Sequence, residues 1–280
     1  MKHYFFYIIL FGLLIQSCKK DRITGVKFES MDAFFEANKV EEQEFIITSE
    51  DTAVPIIGNQ GTELYVGRRL FKFLDRNDPI ELPYSIKLVE LYTCKDALMY
   101  QVSSTTAASP LENKGQIRVR ACKAGEELEL ISGNAFVSNF SSTVSSSDFN
   151  PYQEKVSSTI VNSWSLASDG SAVSVSNSKY SYNSFALGWL SPAKLKSSGG
   201  TTDISFNVEG SGGEFITLAI CFDDFHGLIS GKNLELKNVP IGEKVTVLGM
   251  AQDQNGKFRL HKSSVTITSS MTIILEMEIV

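Results

Sequence analysis

Asp203-Ile204-Ser205-Phe206-Asn207-Val208-Glu209 alternates polar and apolar residues without a break. A period of two places Ile204, Phe206 and Val208 on one face, the pattern of a half-buried strand. The same period returns at 272–279, where Ile273, Leu275, Met277 and Ile279 point inward together. Residues 215–221 are nearly continuous apolar, as a strand covered on both faces would be. Strands at 244–250 and 264–268 complete this set, and Asp253-Gln254-Asn255-Gly256 carries the Asn-Gly hairpin signal. No segment of helical period and length interrupts the run.

Toward the N-terminus the same grammar continues in short runs at 63–67, 84–92, 116–121 and 127–131, with a turn at 75–79. Alternation directs Ile117, Val119 and Ala121 inward and leaves Cys122 outward with Arg118 and Arg120. The class is all-β, with two β-sandwich-like domains. A chain of 280 residues, 42% hydrophobic, can supply two ordinary cores. Serine dominates between 138 and 178, with almost no charge. This predicts a Ser-rich linker over 141–179, with one edge hairpin near 172–182 and Trp164, Tyr180 and Tyr182 docked. For Trp189, core packing is the expectation over stacking on a sugar or a partner.

At the N-terminus a basic start, Met1-Lys2-His3, precedes an apolar run at 4–15. That run is shorter than the ~20 residues a helix needs to cross a bilayer, and it has the make-up of a secretory signal. Ile15-Gln16-Ser17-Cys18 resembles the lipobox of bacterial lipoproteins, with Gln16 where a small residue is usual. The resemblance implies a signal peptide over 1–17, lipid (palmitate among its chains) on Cys18, and a cell-envelope location, at the outer membrane on its periplasmic face or the cell surface. More than one acyl chain makes such an anchor stable. The tether, 18–43, contains one short helix, with Ser30 as N-cap, Asp32 in its first turn and Met31, Phe34 and Phe35 on one side. A net charge of -6 argues against nucleic acid as a partner.

Glu44-Phe45-Ile46-Ile47-Thr48 and the turn Gly58-Asn59-Gln60-Gly61-Thr62 before Glu63-Leu64-Tyr65-Val66 resemble the opening of the ZU-type β-sandwich of ankyrins and netrin receptors. That module also occurs in bacterial envelope lipoproteins of unassigned activity. Residues 86–98 and 114–121 are similar to the family's next strands. The resemblance implies a ZU-type domain over 44–140 and a second, immunoglobulin- or transthyretin-like β-domain over 180–280, entered at Leu187-Gly188-Trp189-Leu190. Its motifs are turn and core residues and bring no catalytic group. The His-Phe-Ser step at which some relatives cleave themselves is absent.

Beyond Cys18 the cysteines are Cys94, Cys122 and Cys221, with no C-x-x-C pair. An odd count cannot pair fully. Cys94 with Cys122, on neighbouring strands, is the candidate disulfide; free half-buried thiols are the alternative. Asp223, Asp224 and His226 form the tightest polar cluster, a candidate metal or partner loop. Its simpler reading is a solvated turn after a central strand. His261 lies beside a hairpin. Asp75, Asn77 and Asp78 lack the Gly and distant Glu of a calcium loop, and no nucleotide or hydrolase motif is present. Asp51-Thr52-Ala53 resembles an O-glycan acceptor of bacterial envelopes, with Thr52 as the candidate residue. The function expected is a lipid-anchored envelope protein, without cofactor or catalysis, that binds or scaffolds a protein or glycan. The alternative is a metal-assisted hydrolase using Asp223, Asp224 and His226.

Overall fold

The structure, a computed structural model, describes residues 28–279 apart from 50–53, 68, 77, 79, 108, 145, 156–162, 197–198, 210–215, 232 and 254–255. Cys18 and its signal, Thr52 and Asn77 therefore lie outside the described residues. The fold is all-β, in two pairs of sheets.

The N-terminal pair contains a nine-stranded sheet. Its main path runs Gln43–Ile47, Tyr84–Leu91, Gln116–Lys123, Gly188–Leu195, Asn150–Lys155 and Ser165–Leu166. Facing it is a five-stranded sheet in the order Ala172–Ser176, Lys179–Ser184, Phe136–Phe140, Glu63–Tyr65 and Ile56–Ile57. Ile86, Leu88, Ile117, Val119, Ala121 and Leu190 of the large sheet meet Leu64, Phe136, Phe140, Tyr180 and Tyr182 of the small one in a single core. The large sheet is covered on its other face as well, where Val89, Leu91, Trp189 and Ala193 pack with Tyr100, Tyr152 and Trp164. Trp189 is a core residue, as expected.

The C-terminal pair sets Glu235–Pro240, Thr201–Glu209 and Thr272–Glu276 against a five-stranded sheet. The order in that sheet is Leu228–Gly231, Ile216–Phe222, Lys244–Gln252, Phe258–Thr266 and Glu278–Ile279. Ile204, Phe206, Ile273, Leu275 and Met277 are buried in its core, with Val208 packed against it. Ile279 is not inward: the last strand leaves the smaller sheet after Glu276 and pairs with Phe258–Thr266 instead, which exposes Ile279. That partner strand also begins earlier than 264, directly after the turn in which the Gly256 N–H donates to Asp253 O.

Three expectations are corrected. First, 141–179 is no linker. Asn150–Lys155 lies between Gly188–Leu195 and Ser165–Leu166, while the expected edge hairpin forms, Ala172–Ser176 pairing with Lys179–Ser184. The segment lacks aliphatics but buries aromatics in their place: Phe149, Tyr152 and Trp164, the last donating its indole N–H to Ser103 O at 2.6 Å. Second, the boundaries at 140 and 180 fall inside the N-terminal sheet pair, because Lys179–Ser184 and Gly188–Leu195 complete its two sheets. Third, residues 94–98 are not strand. They belong to a helix, Cys94–Met99, whose N-cap Thr93 accepts from the Asp96 N–H. The earlier helix, Met31–Asn38, starts as expected, with the Ser30 hydroxyl accepting from the Ala33 N–H.

Both helices lie where the sheet pairs meet. Phe35 of the first and Ala97, Leu98 and Met99 of the second are buried with Ala219, Leu228 and Met250 of the C-terminal pair. A shared apolar cluster of this kind makes the joint part of the folded core.

Candidate functional site

The polar turn at Asp223–His226 follows the strand Ile216–Phe222, and the structure sets it at this joint. One residue before the end of that strand, Cys221 is bonded to Cys94, 127 residues away in sequence, with Cα atoms 6.0 Å apart. The expected Cys94–Cys122 bridge does not form. Cys94 opens a helix that turns away from the sheet, whereas Cys122 lies opposite Ser85 within it and is a free, buried thiol. Burial first, and Glu127 beside it, push the Cys122 thiol up, so it stays protonated and poorly nucleophilic at neutral pH.

The turn is pinned rather than loose. His226 O accepts from the Asn113 N–H at 2.9 Å, and Leu228 O accepts from the Ser104 N–H at 2.6 Å. Phe225 stacks on Phe222 with centroids 4.4 Å apart, and Lys196 Nζ stands 4.4 Å from the centroid of the Phe225 ring. Lys196 also pairs with Glu243, tying the end of the N-terminal sheets to the C-terminal pair. A Cβ on Gly227 would come within 3.1 Å of Leu111 O and 2.8 Å of the Phe225 ring, so a larger residue here would force one of them to shift.

The three predicted side chains do not converge. Asp223 accepts from the Thr246 hydroxyl and faces Lys244, within its own sheet. Asp224 is exposed. Burial, and then the positive charge of Lys114, lower the His226 pKa; solvent on the open side of the ring screens the effect. Among the described residues no three His, Cys, Asp or Glu side chains are grouped to hold a metal ion. Behind His226, between Gln116, Asn113 and the disulfide, the space open to a water molecule's centre is about 10 Å³, room for one water and no substrate. His261 is a structural histidine: its Nδ1 accepts from the Glu276 N–H, which leaves Nε2–H to donate to Ser263 Oγ at 2.8 Å.

Larger clefts lie elsewhere among the described residues, two of them above 300 Å³. One, about 330 Å³, is lined by Asp32, Phe35, Gln101, Thr217 and Gln252 at the joint. The other, about 360 Å³, runs along the edge strand Gln43–Ile47 past Cys122, Arg120 and Glu127. Arg120 is paired with Glu42 and Glu127, and Arg118 also reaches Glu42 at 3.0 Å. These charges neutralise one another, and although Glu127 stands beside the Cys122 thiol in the second cleft, burial and that carboxylate keep the thiol protonated.

The residue that sequence reasoning missed is Glu90. It is 1% exposed, and its carboxylate accepts from the N–H groups of Gln60 and Thr62 and from Gln43 Nε2, each at 2.9 Å. This buried acid organises the Gly58–Thr62 turn. A lone acidic residue amid the apolar run at 86–91 was the available signal. Buried Ser104, which accepts from Asn113 Nδ2 and Gln116 Nε2 beneath the joint, carried none.

No helix among the described residues is long and apolar enough to cross a membrane. Comparison with family models, curated proteins and solved structures finds no match for this chain.

Proposed function

We propose that this chain is a lipid-anchored cell-envelope protein that binds or scaffolds a protein or glycan partner without catalysing a reaction. The observation that carries the reading is the Cys94–Cys221 disulfide at the joint. Structural disulfides persist in oxidising compartments and are rare in the reducing cytosol. The bond therefore agrees with export through the signal at 1–17 and attachment at Cys18. The paired state of Asp223 and the one-water cavity behind His226 favour binding over hydrolysis. The likeness of residues 44–140 to ZU-type modules, whose eukaryotic members bind proteins, points the same way and weighs less.

The test is fatty-acid labelling of the wild type and Cys18→Ala in the native host. The wild type is expected to take up label and mature to a chain starting at residue 18. The variant is expected to remain an unlabelled precursor. Labelling and processing of the variant equal to the wild type would refute the anchor. Cross-linking in the intact envelope then identifies the partner.

A further inference from the structure

The strand Ala172–Ser176 ends the smaller N-terminal sheet, and no described residue pairs with its outer edge. Sheets usually protect such edges with charge, proline or a covering segment. Several other edges of this molecule do: Gln43–Ile47 carries Glu44, Glu235–Pro240 carries Lys237 and Pro240, and Leu228–Gly231 is covered by Ser103 and Ser104. Ala172–Ser176 has no charge and no proline.

The direction of its free groups follows from the hairpin. Asn177 and Ser178, with φ of 48° and 59°, form a two-residue turn between Ser176 and Lys179. Residues flanking such a turn exchange both hydrogen bonds, and bonded and non-bonded pairs alternate from there. Ser176, Ser174 and Ala172 thus bond inward to Lys179, Ser181 and Asn183. Val173 and Val175 direct their N–H and C=O groups outward. Their side chains share the inner face of the sheet, where Val173 packs on the core and Val175 remains 43% exposed. On this side the larger sheet also ends, at Ser165–Leu166, with Leu166 56% exposed.

The sequence Val173-Ser174-Val175 reads the same in both directions about Ser174. An antiparallel copy with its two-fold axis at Ser174 brings each Val173 opposite Val175 of the other copy. Those are the residues with free backbone groups, so four hydrogen bonds form. The same pairing continues the inner face across the seam and covers Val175. Ser174 meets its counterpart as a non-bonded pair, with Cα atoms ~4.5 Å apart. A heterologous strand needs none of this symmetry. We infer that Ala172–Ser176 is a self-association edge, through which two copies of this chain join their smaller sheets into one. The interface is isologous and closes on itself. A seam this short falls below the ~1,200 Å² of standard interfaces, so the dimer is reversible.

The test uses the mature chain in density-matched detergent, followed by sedimentation equilibrium over a concentration series. The wild type is expected to pass from one chain to two. Val175→Pro removes only an outward N–H, a change edge strands tolerate, and is expected to remain monomeric with its unfolding midpoint little changed. Independently of whether that variant folds, Ser174→Cys is expected to give a disulfide-linked dimer on oxidation. Ser176→Cys, whose counterpart lies opposite Ala172, is expected to cross-link far less. A wild type that stays monomeric into the millimolar range overturns the inference. So does equal cross-linking of the two cysteine variants.

Discussion

A Cβ built on Gly58 would lie 2.5 Å from Oε2 of Glu90. The carboxylate cannot swing away, because the backbone N–H groups of Gln60 and Thr62 hold both of its oxygens. The turn and the buried acid are therefore one device: the glycine makes room for the group that satisfies the turn.

Gly58→Ala is accordingly expected to destabilise the protein by about 1–3 kcal/mol through overpacking. Glu90→Gln turns an acceptor into a donor facing buried donors, and a loss of about 1–3 kcal/mol is expected. Because the two changes act on one contact, their double mutant should fall short of the sum. Urea unfolding of all three variants measures both effects; strict additivity would break the coupling.

The Cys94–Cys221 bond closes a loop of 127 residues. Cys94→Ser with Cys221→Ser is expected to cost about 2–4 kcal/mol. In denatured, unreduced protein, alkylation should modify Cys122 and leave Cys94 and Cys221 unmodified until a reductant is added. Peptide mapping reads this directly.

His226 is held below its ordinary pKa of 6.5, chiefly by burial. The unfolded chain thus takes up a proton here before the folded one does, so stability is lost as pH falls through 6.5 and is unaffected well above it. His226→Gln should flatten this part of the profile. The check is the urea midpoint of both proteins at pH 5 and pH 8. An identical acid slope in the variant would assign the dependence to other groups.

Where pattern is local, the sequence was a good guide. Strict alternation at 203–209 and 116–121 reported the buried faces, and Ser30 with Asp32 marked the start of a helix. Three features eluded it, for different reasons. The serine-rich segment was judged by its missing aliphatics, while Phe149 and Tyr152, like the expected Trp164, are buried, and aromatic side chains bury large areas. Thr93 and Asp96 are a helix start inside what otherwise reads as strand. The partner of Cys94 depends on how two sheet pairs dock, which no local period encodes. The same docking divides Asp223 from His226, giving one to its own sheet and the other to Asn113.

The bond between Cys94 and Cys221 also changes what a protease can achieve. The chain from 94 to 221 is a closed covalent ring, and most of the N-terminal sheets are wound from it. A single cut anywhere on that ring opens it without releasing a piece: everything before the cut stays attached, through sulfur, to everything after it. Releasing a piece of the ring takes a second cut within it or a reductant, so an isolated nick there leaves the molecule whole.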